Sequence, residues 1–92
     1  MKFYPCRVLC DSHLLTSTYV TGCKIIVSHS EVLIKFPLWF HSPVKMLFGN
    51  FTYRQENDKQ VVLVFGQQHF TVYMARRKMR RLLELLRNKY HS

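Results

Sequence analysis

The stretch from Met74 to Tyr90, MARRKMRRLLELLRNKY, limits most strictly what this chain can fold into. Ala75, Met79, Leu82, Leu83, Leu86 and Tyr90 recur at three- and four-residue spacing. At about 100° per residue they fall in one stripe of an α-helix, and Leu85 widens it. Arg77, Arg80, Arg81, Glu84 and Asn88 take the opposite face. Lys78 and Lys89 edge one side of the stripe, and Arg76 and Arg87 edge the other. A leucine stripe needs an apolar surface to cover, and upstream of it the chain reads almost wholly as strand. A set of strands closed by one helix over residues 75–90 is therefore expected.

The upstream strands follow from alternation and turn signals. Phe3 to Leu9 reads as a first extended segment, with Pro5 within it and a turn at Asp11-Ser12-His13. Leu14 to Val20, LLTSTYV, is rich in β-branched and aromatic residues and reads as a second strand, turned by Thr21-Gly22. Cys23 to Ser28 and Glu31 to Phe36 form the clearest hairpin, with a turn at His29-Ser30. It puts Ile25 and Val27 on one face of its first strand and Val32, Ile34 and Phe36 inward on its second. Pro37 to Pro43 reads as a loop, because prolines cannot donate to a ladder. Lys45 to Arg54 reads as one strand with Gly49 as a bulge. The polar turn 55–59 follows. Gln60 to Phe65 is apolar on both faces, as an internal strand would be, and His69 to Met74 closes the series after a turn at 66–68. Seven strands and a helix in 92 residues make one domain.

The charge is uneven. The chain carries a net +9, of which residues 76–92 hold +6 and residues 1–75 hold +3. Such asymmetry points to an anionic partner: nucleic acid, an acidic protein surface or lipid headgroups. Arg76, Arg77, Lys78, Arg80, Arg81, Arg87 and Lys89 are the candidate anion-binding residues. They could track a phosphate backbone by counterion release, and the run also resembles a nuclear-import patch. The alternative is a solvated helix face with an Arg80–Glu84 pair at i,i+4. Basic residues at a helix start oppose the macrodipole, so stability alone does not explain them.

Trp39 and Phe40 between two prolines are the candidate protein-contact residues, since tryptophan is enriched at interaction hot spots. The competing expectation is that they fold back as a lid on the sheet. Cys6, Cys10 and Cys23 are odd in number, which favours reduced thiols over a disulfide framework. With His13 they offer four nitrogen or sulfur ligands, but at no common zinc spacing, so no metal is expected. The five carboxylates fall at turns or outer faces, the histidines are scattered, and no phosphate loop or nucleophile motif is present. Neither an enzyme, a cofactor nor a small-molecule substrate is expected. Asn50-Phe51-Thr52 matches a glycosylation sequon without context to support it. No apolar run reaches the roughly 18–20 residues of a membrane helix, and MKFYPCRVLC is a poor secretory leader. The expectation is an intracellular protein, nuclear or cytoplasmic.

This order of elements resembles the pleckstrin-homology superfold. The resemblance is carried by the hairpin at 23–36, by VVLVFGQQHFTVYM at 61–74, and by the terminal helix with Leu82, Leu83 and Leu86. Members share seven strands and a C-terminal capping helix. The resemblance implies an antiparallel barrel or sandwich, mainly β, that serves as a binding or scaffold module. No basic residue lies between Arg7 and Lys24, so the first hairpin lacks the cations that phosphoinositide-binding members use. The leading expectation is a non-catalytic adaptor that docks protein partners, within a DNA-, RNA- or chromatin-associated complex. The alternatives are a module for anionic membrane surfaces and a purely structural assembly domain.

Overall fold

A computed structural model describes residues 1–12, 15–37, 39–40 and 42–91, with the side chains of Ser12, Leu15, Thr16, Tyr90 and His91 not described. His13, Leu14, Leu38 and His41, assigned above to a turn, a strand and, for the last two, a loop, lie outside these residues, as does the side chain of Tyr90. Seven strands precede one helix: β1 (Lys2–Ser12), β2 (Leu15–Val27), β3 (Glu31–Lys35), β4 (Val44–Leu47), β5 (Thr52–Asn57), β6 (Gln60–Phe65), β7 (Gln68–Tyr73) and α1 (Arg76–His91). The protein is mainly β, a half-barrel of antiparallel strands with a C-terminal helix.

The strands lie in one sheet in the order β4-β3-β2-β1-β7-β6-β5. β4 and β5 are thus its opposite edges, yet only residues 48–51 connect them. A flat seven-stranded sheet would hold its edges about 29 Å apart, at roughly 4.8 Å per strand. Leu47 to Thr52 can span at most roughly 18 Å at about 3.6 Å per residue. The sheet must therefore curl until its edges approach. The connection is a tight turn: Asn50 N–H donates to Leu47 O at 2.9 Å, and Gly49 takes φ +98°, which a side chain would strain. The rings of Phe48 and Phe51 stand 5.6 Å apart beside it. Residues 45–54 are accordingly two strands on opposite edges, not the single bulged strand that the alternation suggests. Gly49 turns the chain instead of bulging it.

The opposite correction applies at Thr21-Gly22. There β2 runs on without a turn for 13 residues. The register passes from Cys6↔Cys23 to Val8↔Val20, so β2 carries one extra residue. Gly22, at φ +74°, fits this bulge. A second bulge lies on β1, between Phe3↔Ile25 and Cys6↔Cys23. It holds Tyr4 and Pro5, where proline's missing N–H costs the ladder nothing. The count of strands stays at seven because one merger and one division offset each other.

The core is a single cluster drawn from six of the seven strands, from Phe36, Phe51 and Met74 in the connections, and from α1, while β5 adds only the partly buried Tyr53 at its margin. Its members include Phe3, Val20, Ile25, Ile34, Met46, Leu63, Phe70 and Val72. The hairpin of β2 and β3 has the expected faces: Ile25, Val27, Val32, Ile34 and Phe36 are buried and Lys35 is exposed. On α1, Met79, Leu82, Leu83 and Leu86 are buried and Leu85 packs at the margin. Ala75 departs from the predicted stripe. It is exposed and precedes the helix, where its carbonyl accepts the Met79 N–H at 2.8 Å. Among the described residues no polar or charged residue is buried.

Truncating the plug should be costly in proportion to burial. Leu82→Ala and Leu86→Ala should each lose about 2–5 kcal/mol in urea unfolding. Leu85→Ala should lose clearly less than either.

Candidate anion-binding surface and aromatic loop

The basic side chains of α1 separate into two groups by what holds them. Lys78 and Lys89, which edge the leucine stripe, reach back to the barrel. Lys78 Nζ donates to Tyr4 O at 2.7 Å, and Lys89 Nζ donates to His29 O at 2.7 Å. The Tyr4 carbonyl belongs to the β1 bulge, where a residue drops out of ladder pairing. Lys89 also stands 5.8 Å from the centre of the Phe48 ring. These two lysines moor the ends of the helix.

The arginines point away from the core. Arg76 Nε lies 3.6 Å from Asp58 Oδ2, and Arg81 lies 3.6 Å from Glu84 Oε2. The intrahelical pair is therefore i,i+3 from Arg81, not the expected i,i+4 pair from Arg80. Both pairs are mostly exposed and contribute little to stability. Among the described residues, no carboxylate lies within ion-pair distance of Arg77, Arg80 or Arg87.

Three clefts adjoin the helix. One, of about 280 Å³, lies toward the β5–β6 turn, between Arg76, Arg80 and Arg87 with Asp58 and Glu84 on its walls. A second, of about 400 Å³, lies between the start of β1 and the helix, lined by Lys2, Tyr4, Arg77, Arg80 and Arg81. A third, of about 540 Å³, continues past Lys78 to Arg7, Lys59 and Tyr73, beside Gly22. Met74 N–H donates to Lys59 O at 3.2 Å and fixes that lysine beside the helix start. Lys2, Arg7 and Lys59 were not legible as site residues. They lie far from the helix in sequence; the pairing of β1 with its neighbours brings Lys2 and Arg7 beside it, and the pairing of β6 with β7 brings Lys59.

The aromatic pair splits between its two expected fates. Phe40 folds back, half-buried, with its ring 5.2 Å from that of the buried Phe36. Trp39 stands out of the same turn at 75% exposure, edge-on to Phe40 at 5.9 Å.

The cysteines are free and face the core. Cys6 and Cys23 sit opposite each other across β1 and β2. Cys6 Sγ donates to Phe3 O at 3.2 Å and Cys23 Sγ to Val20 O at 3.6 Å. Burial pushes all three thiols, Cys10 included, from 9.0 up to about 11. No group of three or more His, Cys, Asp or Glu is placed to hold a metal ion among the described residues. Comparison with protein-family models and with curated proteins finds no match to this sequence.

Mooring and free cations should respond differently to removal. Lys78→Met should lower stability by about 0.5–1.5 kcal/mol in urea unfolding, whereas Arg77→Ala should stay within about 0.5 kcal/mol. The thiols favour folding while protonated, so their contribution is complete below pH 9.0 and is lost as pH rises through about 11. Cys23→Ala should flatten the fall in stability over that window, and alkylation of the buried Cys6 and Cys23 in the native protein at neutral pH should wait on unfolding.

Proposed function

We propose that the chain is a non-catalytic interaction module of pleckstrin-homology-like build. It docks a protein partner through the Trp39 turn and offers the arginine face of α1 to a polyanion. The strand order, the curl and the terminal helix support the family likeness. That likeness bears on architecture and leaves the partner to the surface chemistry.

One observation carries the reading. Trp39 and the free arginines Arg77, Arg80 and Arg87 stand in solvent, while their sequence neighbours Phe40, Lys78 and the leucines are used by the fold. A tryptophan at 75% exposure leaves a large apolar ring in water, where a partner's pocket would release that water. Guanidinium groups without carboxylates keep their donors for phosphate or carboxylate oxygens. A module of this kind acts as an adaptor in the nucleus or cytoplasm, within an assembly that contains nucleic acid.

Titration against heparin or a mixed-sequence oligonucleotide at two salt concentrations tests the polyanion part. Binding should weaken with salt and should fall with Arg77/Arg80/Arg81→Ala. Absence of binding at low salt would remove that part, and preference for anionic vesicles over oligonucleotide would transfer it to membranes. Pull-down with wild type and Trp39→Ala tests the docking part. A partner retained equally by both would mean that the turn is not the contact.

A further inference from the structure

The geometry points to a single-stranded nucleic acid as the polyanion, lying along the seam between β1 and α1 with bases stacked on Tyr4 and Tyr73. The inference rests on the polyanion part of the proposed function and names its site and ligand class.

The seam consists of the second and third clefts, which meet at Lys78. The cations on its walls come from three separate elements of the fold. β1 supplies Lys2 and Arg7, the β5–β6 turn supplies Lys59, and α1 supplies Arg77, Arg80 and Arg81. β2 adds Lys24, whose Nζ stands 5.7 Å from the centre of the Tyr4 ring. The only carboxylate on either wall is Glu84, which already faces Arg81. Lys78 has one donor on the Tyr4 carbonyl, and an ammonium carries three. A lone phosphate needs two or three converging cations. These are instead spread through two consecutive clefts, which suits a chain of phosphates.

The aromatic residues narrow the choice further. Each cleft has one tyrosine on its wall: Tyr4 is 57% exposed, and Tyr73 is half-buried and edge-on to Tyr19 at 5.9 Å. Positive grooves with interleaved aromatic rings bind unpaired bases by stacking, without regard to sequence. A duplex keeps its base faces stacked inside and presents only its phosphates, so it cannot use these rings. A lipid surface is broad and takes protruding groups, whereas these cations and rings line concave walls. Trp39, the most exposed large hydrophobic side chain among the described residues, belongs to a different connection.

Fluorescence anisotropy with a labelled mixed-sequence strand of roughly 12 nucleotides, the same sequence as a duplex, and anionic phospholipid vesicles tests the inference. The single strand should bind roughly tenfold more tightly than the duplex. Arg7→Ala and Lys59→Ala should each flatten the slope of log affinity against log salt by about 0.7. Tyr4→Ala should weaken the single strand roughly tenfold without changing the slope, and Tyr4→Phe should restore it. Lys45→Ala, on the far edge strand β4, should change neither quantity. The substituted side chains are all exposed, and urea unfolding confirms that each variant folds. Equal or tighter duplex binding, preference for vesicles, or Arg7→Ala and Lys59→Ala indistinguishable from Lys45→Ala overturns the seam while leaving the arginine face intact. Failure of every polyanion to bind removes the proposed function's anionic part along with it.

Discussion

A sheet whose two outermost strands are joined by four residues cannot lie flat, and the rest of the molecule follows from that. The turn at 48–51 draws β4 and β5 toward each other. Twist alone would bend the sheet in this sense, but the short connection sets how far. Curling creates an apolar trough lined by inward residues of β1 to β4, β6 and β7, with only Tyr53 from β5 at its margin. The trough is open at one end, and the leucine stripe of α1 fills it. Helix and half-barrel are therefore conditional on each other: neither apolar surface has another partner within the described residues. Burial at roughly 25 cal/mol per Å² rewards them only together.

The same geometry sorts the charges. A helix that plugs a barrel keeps its flanks within reach of the rim. Lysines on those flanks can extend a flexible stem over apolar surface and leave the ammonium on a rim carbonyl. Lys78 and Lys89 do so at the two ends of α1, and at Tyr4 the carbonyl is one that a bulge has taken out of the ladder. The arginines on the far side meet no such acceptor. The dense basic run is thus two populations, one spent on docking the helix and one left to solvent. Beside the first population the sheet contributes Lys2, Arg7 and Lys59, so positive charge gathers at the seam and not only along the helix back.

Much of this was visible in the sequence and some was not, for physical reasons that differ by element. The buried face of α1 followed from its period, because side-chain direction on a helix is a local property. The faces of the β2–β3 hairpin followed from alternation in the same way. Residues 45–54 misled because alternation continues through a tight turn when the turn itself holds apolar residues, here Phe48 and Phe51. Thr21-Gly22 misled for the reverse reason. A glycine at positive φ serves a bulge as well as a turn, and local sequence does not distinguish them. Trp39 and Phe40 could not be separated in advance, since one turn carries both and only the position of Phe36 decides which ring finds a neighbour.

What the sequence determined by itself was what periodicity and composition carry: a terminal amphipathic helix, strands ahead of it, a mainly β class, and an excess of positive charge near the end. Tertiary structure alone decided which strands became edges, where the sheet bent, which lysines were consumed as moorings, and which distant cations met beside β1. Periodicity is written in neighbouring residues. Register and convergence depend on pairings such as Cys6 with Cys23 and Arg7 with Tyr73, which join parts of the chain that local patterns cannot relate.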